Sequence, residues 1–282
     1  MARPEGLGAD SAEKIVSRFY DTVGWGAEGD VTEDARRYED LREIAREYVS
    51  RCRLRVLQHI PAHGEALLDM ASGPIQFAEY LEYSRNFAKR YCVDLSAAAL
   101  AKAESRIGDH GVFLHGNFLD LPLAENFFDC AVSMHTIYHI DKDRQEEAVR
   151  KLLRVTKPGR PVIIVYSNPD ATIQILKAMP PFRLLQKALH LVKGRAYRVQ
   201  VKNEIPLYFH AHPLGWWDRF RDVADVRILP WRSLDSVTQK RLIPNHRAGK
   251  ALLALLFRLE DRFPNFFARH FQYSMIVLTK RA

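Results

Sequence analysis

Apolar positions along this chain follow two alternating rhythms. Short continuous runs at 66–70, 89–93, 112–115, 128–133 and 161–167 have the length and borders of buried strands. Between them, 75–83, 97–107 and 143–155 place apolar residues three and four apart, the helical period. Strands alternating with helices predict a mostly parallel sheet, joined by right-handed crossovers and covered on both faces. Two late runs, 226–229 and 273–279, add strands. Ahead of the first strand, residues 11–60 read as helical: a first helix carries Ile15, Phe19 and Tyr20, and a glycine-rich break follows at 24–30. A longer helix then opens with Thr32 as N-cap and acids in its first turn, and Tyr38, Leu41, Ile44, Ala45 and Tyr48 form one apolar face. The pattern predicts a helical cap over 1–60 and a main domain over 61–282. Insertions fall at about 168–224 and 234–271, the second rich in helix, with 247–263 and the pair Phe266 and Phe267.

Candidate chemistry gathers where the predicted strands end. The first run closes on Asp69 and gives way to Ala71, Ser72 and Gly73. In open α/β sheets, ligands bind outside the carboxyl ends of the strands, and small residues let the backbone approach closely. About 25 residues on, the second run ends in Asp94, Leu95 and Ser96. A carboxylate at that point can accept hydrogen bonds from both hydroxyls of a ribose. The third strand leads to Gly116, Asn117 and Phe118, and the fourth runs into Met134, His135, Tyr138 and His139. Histidine is the side chain best poised to move a proton near neutral pH.

Four blocks, at 66–73, 90–96, 116–132 and 153–159, occur in an order and spacing that resemble the class I S-adenosylmethionine-dependent methyltransferases. The look is closest to the branch typified by ubiquinone- and menaquinone-biosynthesis enzymes, and it covers about 66–167. The resemblance implies a Rossmann-like sheet whose last strand is antiparallel and inserts beside the fifth, with the N-terminal helices capping the cofactor pocket. It implies S-adenosylmethionine as cofactor, S-adenosylhomocysteine as product, and a transferase. Asp69 is then expected near the methionine part, beside the backbone of Ala71, Ser72 and Gly73. Asp94 is expected at the ribose, Asn117 and the Phe118 amide at the adenine, with Leu95 and Met134 also at the cofactor and Tyr20 and Trp25 closing over it. The family's first block usually carries three glycines, and this chain keeps only the middle one, having Ala71, Gly73 and Ile75. Alanine at the first is a modest change if that residue holds an ordinary backbone conformation.

Methyl transfer from a sulfonium is mostly positioning, helped by a base when the acceptor is a hydroxyl or an acidic carbon. His139 matches a recurrent histidine position of the family and is the expected base, with His135 and Tyr138 beside it. A carboxylate of the turn Asp141, Lys142, Asp143 is expected to fix its tautomer. No Asp/Asn-Pro-Pro-Tyr/Phe follows the fourth strand, as it does in enzymes acting on base or glutamine nitrogens, and Met179-Pro180-Pro181-Phe182 comes too late in the chain to serve. The expectation is methylation at oxygen or carbon of a small or amphiphilic, anionic acceptor. The alternatives are an RNA methyltransferase, or a non-catalytic cofactor-binding or membrane-associated regulatory protein.

Composition narrows the setting. At 282 residues and 47% apolar content, the chain can bury a full core. No apolar run reaches the ~18 residues of a spanning helix. The first six residues carry no apolar leader core, and three scattered cysteines, Cys52, Cys92 and Cys130, suggest reduced thiols in a cytosolic compartment. Charge is asymmetric. Residues 1–175 hold 22 Lys/Arg against 27 Asp/Glu, a net of −5, whereas 176–282 hold 20 against 7, a net of +13. The basic half, with a partly amphipathic stretch at 182–193 and the pair Trp216 and Trp217, is expected to meet an anionic amphiphile or the anionic face of a membrane, ahead of nucleic acid. His210 and His212 lack a third metal ligand, so no metal is expected.

Overall fold

The computed structural model describes residues 12–21, 27–28, 31–173 and 207–281. Its centre is a seven-stranded sheet. The strands are β3 (Gly64–Met70), β4 (Phe87–Asp94), β5 (Gly111–His115), β6 (Cys130–Met134), β7 (Pro161–Ser167), β8 (Ala224–Arg232) and β9 (Tyr273–Lys280). Their spatial order is β5-β4-β3-β6-β7-β9-β8. The first five pair in parallel, and β9 lies antiparallel between β7 and β8. Expectation and structure agree on this Rossmann-like class I methyltransferase topology, including the inserted antiparallel strand.

Side-chain alternation along β3 explains why its apolar run is unbroken. Ala66, Leu68 and Met70 join one buried cluster with Val149, Leu152 and Trp217, while Leu67 joins another with Val56, Val132 and Trp231. Neighbouring positions of a strand face opposite sides, so a sheet covered on both faces needs apolar residues at every position. The helix α5 (Ala97–Ile107) begins at Ser96, whose hydroxyl accepts the Ala99 amide at 3.2 Å. It covers one face near β4 and β5, and α6 (Gln145–Val155) covers the other with Ala148, Val149, Leu152 and Leu153. Ahead of the sheet lie α1 (Ala12–Phe19), a short hairpin of β1 (Ala27–Glu28) and β2 (Val31–Thr32), α2 (Glu33–Tyr38) and α3 (Glu43–Leu54). The second insertion holds α7 (Ser236–Leu242), α8 (Arg247–Arg262), which packs against α3, and α9 (Pro264–His270), which packs against β8. Among the described residues, no helix is long and apolar enough to cross a membrane. All three cysteines are free and buried.

Three expectations are corrected. The helix expected to run from Thr32 through Tyr48 is broken between α2 and α3, which leaves Tyr38 and Leu41 about half exposed. At the break, Glu39 and Asp40 turn inward. Asp40 accepts from Arg42 Nε at 2.8 Å and from Gln239 at 2.8 Å, and Glu39 accepts from Arg232 at 2.6 Å. Buried acids need such partners, and a helix continuing on its apolar stripe would not deliver them. The helix expected over 75–83 shrinks to α4 (Ala78–Leu81) and a 3-10 turn, because residues 71–76 form a tight turn first. The β1–β2 hairpin was not foreseen, and Phe128 forms an isolated bridge to Thr156 ahead of β6. The stretch 182–193 and Trp25 lie outside the described residues.

Candidate active site

The carboxyl edge of the sheet opens into a cavity of about 470 Å³, with a slot of about 60 Å³ beside it. Ala71, Asp94, Leu95, Thr136 and His139 line both. The larger volume falls in the ~300–1,000 Å³ range of small-molecule sites.

The turn after β3 forms the cavity's floor. Its residues Ala71, Gly73 and Ile75 all have left-handed backbone, with φ of 58°, 54° and 51°. These are the three positions where the resembled family places glycine. Ala71 thus does not hold the ordinary conformation that would make alanine there a modest change, and Ile75 is more unusual, since a β-branched residue rarely adopts positive φ. Ile75 is held because its side chain is fully buried against Cys92, Leu100 and Ala103.

Asp94 closes the turn from the β4 side. One carboxylate oxygen accepts the Gly73 amide at 2.8 Å, and the other accepts the Ser96 amide at 2.9 Å. Burial pushes its pKa up to about 6, against the two amide hydrogen bonds, which favour the ionised form. Each oxygen keeps a lone pair for a further donor. Asp69, expected near the methionine part, is placed elsewhere. It does not line either cavity and is buried in an ion pair with Arg90, beneath the turn. Arg90 also donates to the Tyr80 carbonyl at 2.6 Å.

The slot is walled by Val93, Leu95, Phe118 and Ile140, with Asn117 at its edge. Asn117 is fixed by donating to Glu13 of α1 at 2.9 Å and by accepting the Leu119 amide at 3.0 Å. Ser72, Gly73, Met134 and Tyr20 line the larger cavity, so nine of the ten expected cofactor residues meet around these two spaces, and Asp69 does not.

At the tip of β6 stand the three expected catalytic residues, all on the larger cavity. His135 adopts φ 61° and its Nδ1 lies 3.0 Å from the Tyr138 hydroxyl. Its pKa falls well below the usual histidine value through burial, then through the nearby Arg232. His139 follows in a 3-10 turn, 137–139, where its Nδ1 lies 2.6 Å from the Tyr208 carbonyl. A carbonyl only accepts, so Nδ1 carries the proton and Nε2 presents a lone pair. Burial lowers this histidine to about pH 4, against the Tyr208 hydrogen bond. The tautomer is therefore set by the returning insertion, and the carboxylate expected from the Asp141–Asp143 turn does not do it. Phe209 adds a ring 4.8 Å from Tyr138. His210 meets His212 edge to face, His212 stacks on Trp216, and no metal-binding cluster of His, Cys, Asp or Glu occurs among the described residues.

Sequence reasoning missed Glu39, Arg232, Gln272 and Tyr273, which complete the cavity wall. A charge closing the apolar strand β8 was the one available signal for Arg232.

Residues 68–164, about a third of the chain, match a family model described as a methyltransferase domain. With the strand order above, that fixes the fold. The core is that of the class I methyltransferases. Among curated proteins, the chain is similar to a demethylmenaquinone methyltransferase of Halalkalibacterium halodurans, with 30% identity over 40% of this chain and 41% of that one. It is also similar to a ubiquinone/menaquinone biosynthesis C-methyltransferase of Pseudomonas paraeruginosa, with 29% identity over 39% and 45%. The chain thus spans less than half the length of these relatives. Two solved structures share the class I fold over nearly the whole chain. Phosphoethanolamine N-methyltransferase 2 of Haemonchus contortus has a TM-score of 0.55 at 14% identity, covering 97% of this chain and 61% of that one. Geranyl diphosphate C-methyltransferase of Streptomyces coelicolor has a TM-score of 0.54 at 15% identity, covering 96% and 98%.

Proposed function

We propose that this protein is an S-adenosylmethionine-dependent methyltransferase acting at oxygen or carbon of a small, amphiphilic and anionic acceptor. The observation that carries the reading is Asp94, a buried carboxylate bordering both cavities with a spare lone pair on each oxygen. Such a pair of acceptors fits the two hydroxyls of a ribose, and the adjoining apolar slot fits a flat heteroaromatic ring. Leu95 and Phe118 would flank that ring, with Asn117 at its edge. When bound, the cofactor supplies an electrophilic methyl group.

The chain's own contribution is to hold the acceptor against that position and to receive its proton. Tyr138, Phe209 and Tyr273 supply aromatic surface to an acceptor body. His139, held neutral by burial and oriented by the Tyr208 carbonyl, offers Nε2 to an acceptor hydroxyl. A histidine lowered to about pH 4 stays unprotonated at every working pH, at the cost of weak basicity. That combination suits a hydroxyl or carbon acid that is already acidic. The surplus of positive charge in residues 176–282 supports an anionic acceptor.

Calorimetry with S-adenosylhomocysteine, followed by a methyl-transfer assay over hydroxylated aromatic and isoprenoid acids, tests the reading. Absence of S-adenosylhomocysteine binding would overturn it. His139→Gln is expected to lower turnover by roughly 10²–10⁴-fold while changing S-adenosylhomocysteine affinity only a few-fold. Turnover close to the parent would remove His139 as the base.

A further inference from the structure

The end of the larger cavity away from Asp94 is built from one row of residues. In the sheet register, Ser167 of β7 pairs with Tyr273 of β9, and Tyr273 pairs with Arg232 of β8. All three line the cavity, together with Gln272, whose amide donates to Ser167 Oγ at 3.2 Å. β8 carries a register shift between Pro230 and Arg232. A shift of that kind re-aims a side chain, here at the very end of the strand. Asp94 ends β4, five strand positions away in the sheet order. The row therefore stands on the acceptor's side of the β6 histidines, not on the cofactor's.

Arg232 is only 3% exposed, yet its surroundings leave it underused. Nη1 donates to Glu39 at 2.6 Å, and Glu39 is shared with Arg53, which lies 3.5 Å away and also contacts Glu79. Arg232 Nε has no hydrogen-bond partner among the described residues. The guanidinium otherwise meets the faces of Trp231 and Tyr273, at 4.9 and 5.3 Å, and also hydrogen-bonds the Tyr273 side chain. Buried N–H groups without an acceptor are costly, and a guanidinium carries five donors arranged to bind carboxylate or phosphate in pairs. Aromatic rings around it suit a ligand whose anionic group continues into an apolar body.

We infer that Arg232 is the anion-binding residue of the acceptor site, taking the carboxylate or phosphate of an aromatic or isoprenoid acceptor in partial exchange for Glu39. The inference rests on the methyl-transfer reading and names the group that would read the acceptor's charge. Glu39 then acts as a placeholder that keeps the guanidinium neutralised until the acceptor arrives.

The test uses the full chain. S-adenosylhomocysteine is titrated first, and failure at that step would refute the methyl-transfer reading itself. On protein saturated with S-adenosylhomocysteine, benzoate, benzamide and benzylamine are then compared by calorimetry. Benzoate is expected to bind at least tenfold more tightly than either of the others, and phenyl phosphate showing the same dependence on Arg232 supports the same assignment. Glu39→Gln removes the competing carboxylate and should tighten benzoate several-fold. Arg232→Lys, which keeps the buried charge, should weaken it at least tenfold with S-adenosylhomocysteine affinity unchanged. Thermal melting establishes that both variants are folded. Preference for benzylamine, benzoate affinity indifferent to Arg232→Lys, or no benzoate binding by the parent and by Glu39→Gln would each overturn the assignment.

Discussion

On the proposed function, Asp94 should make S-adenosylhomocysteine affinity depend on pH, in a window the structure defines. Its pKa is raised to about 6, chiefly by burial, with Asp69 and Asp21 adding like charge. Only the ionised carboxylate can accept from two ribose hydroxyls while also holding the Gly73 and Ser96 amides. Affinity should therefore scale with the ionised fraction. That fraction is near complete at about pH 7.5 and roughly one-tenth at about pH 5 for a group titrating near 6. S-adenosylhomocysteine should bind about tenfold more weakly at the lower pH. His139, lowered to about 4, does not titrate across this range. Asp94→Asn should lose on the order of a hundredfold, since charge-assisted hydrogen bonds are worth roughly 1.5–3 kcal/mol each. Its amide would also turn one N–H group toward the Gly73 or Ser96 amide. The pH dependence should flatten in that variant. Calorimetry at about pH 5, 6 and 7.5 reads both effects. A flat profile in the parent, or the same slope in Asp94→Asn, would refute the reasoning.

The stability consequence has the opposite sign. A carboxyl group raised in the folded state contributes stability below its ordinary value of 3.8, and that contribution is lost as pH rises through about 6. Two pH units correspond to on the order of 3 kcal/mol. The unliganded protein therefore carries an unrelieved charge at neutral pH, and ribose hydroxyls would relieve it. S-adenosylhomocysteine should accordingly raise the melting temperature more at about pH 7.5 than at about pH 5.

Two further substitutions probe the turn and its support. Ala71→Gly should leave stability unchanged or raise it by up to about 1 kcal/mol, because left-handed backbone costs an alanine about 1–2 kcal/mol and glycine regains most of that after its larger unfolded-state entropy; a loss beyond about 1 kcal/mol in denaturant titration would contradict the φ of 58°. Arg90→Met should cost about 3–5 kcal/mol by stranding the buried Asp69 carboxylate, and adding Asp69→Asn should recover most of it; a single-variant loss below about 1 kcal/mol would show that the pair does not support the turn.

What the sequence disclosed divides along the range of the interactions concerned. The unbroken runs of β3 and β7 and the stripe of α6 reflect local periodicity against a two-faced core, so they were legible residue by residue. Strand-end positions were legible too, which is why Ala71, Asp94, Asn117 and His139 meet around one pair of cavities. The misses at the cavity wall are long-range. Glu39 and Arg232 are 193 positions apart, and nothing local announces their pairing. The same pairing breaks the helix that Tyr38 and Leu41 otherwise suggest, so one unreadable contact produced two errors. The tautomer of His139 depends on Tyr208, 69 positions away across an insertion whose helical period is only partial.

Asp69 and the lost glycines show how a motif can weaken in sequence while its geometry persists. Glycine makes a left-handed turn easy, but hydrogen bonds and burial can impose the same conformation on other residues. Here the Ser72 amide donates to the Val93 carbonyl at 3.2 Å, the Gly73 amide to Asp94 at 2.8 Å, and the Ile75 amide to the Ser72 carbonyl at 3.4 Å. Arg106 of α5 holds the Ile75 carbonyl, and the Ile75 side chain is sealed among Cys92, Leu100 and Ala103. From below, the Asp69–Arg90 pair ties the end of β3 to β4 and, through Tyr80, to α4. β4 and its helix therefore specify the turn from both sides. The acid at the end of the first strand belongs to that framework, and Asp94 is the carboxylate of these two that faces the cavity.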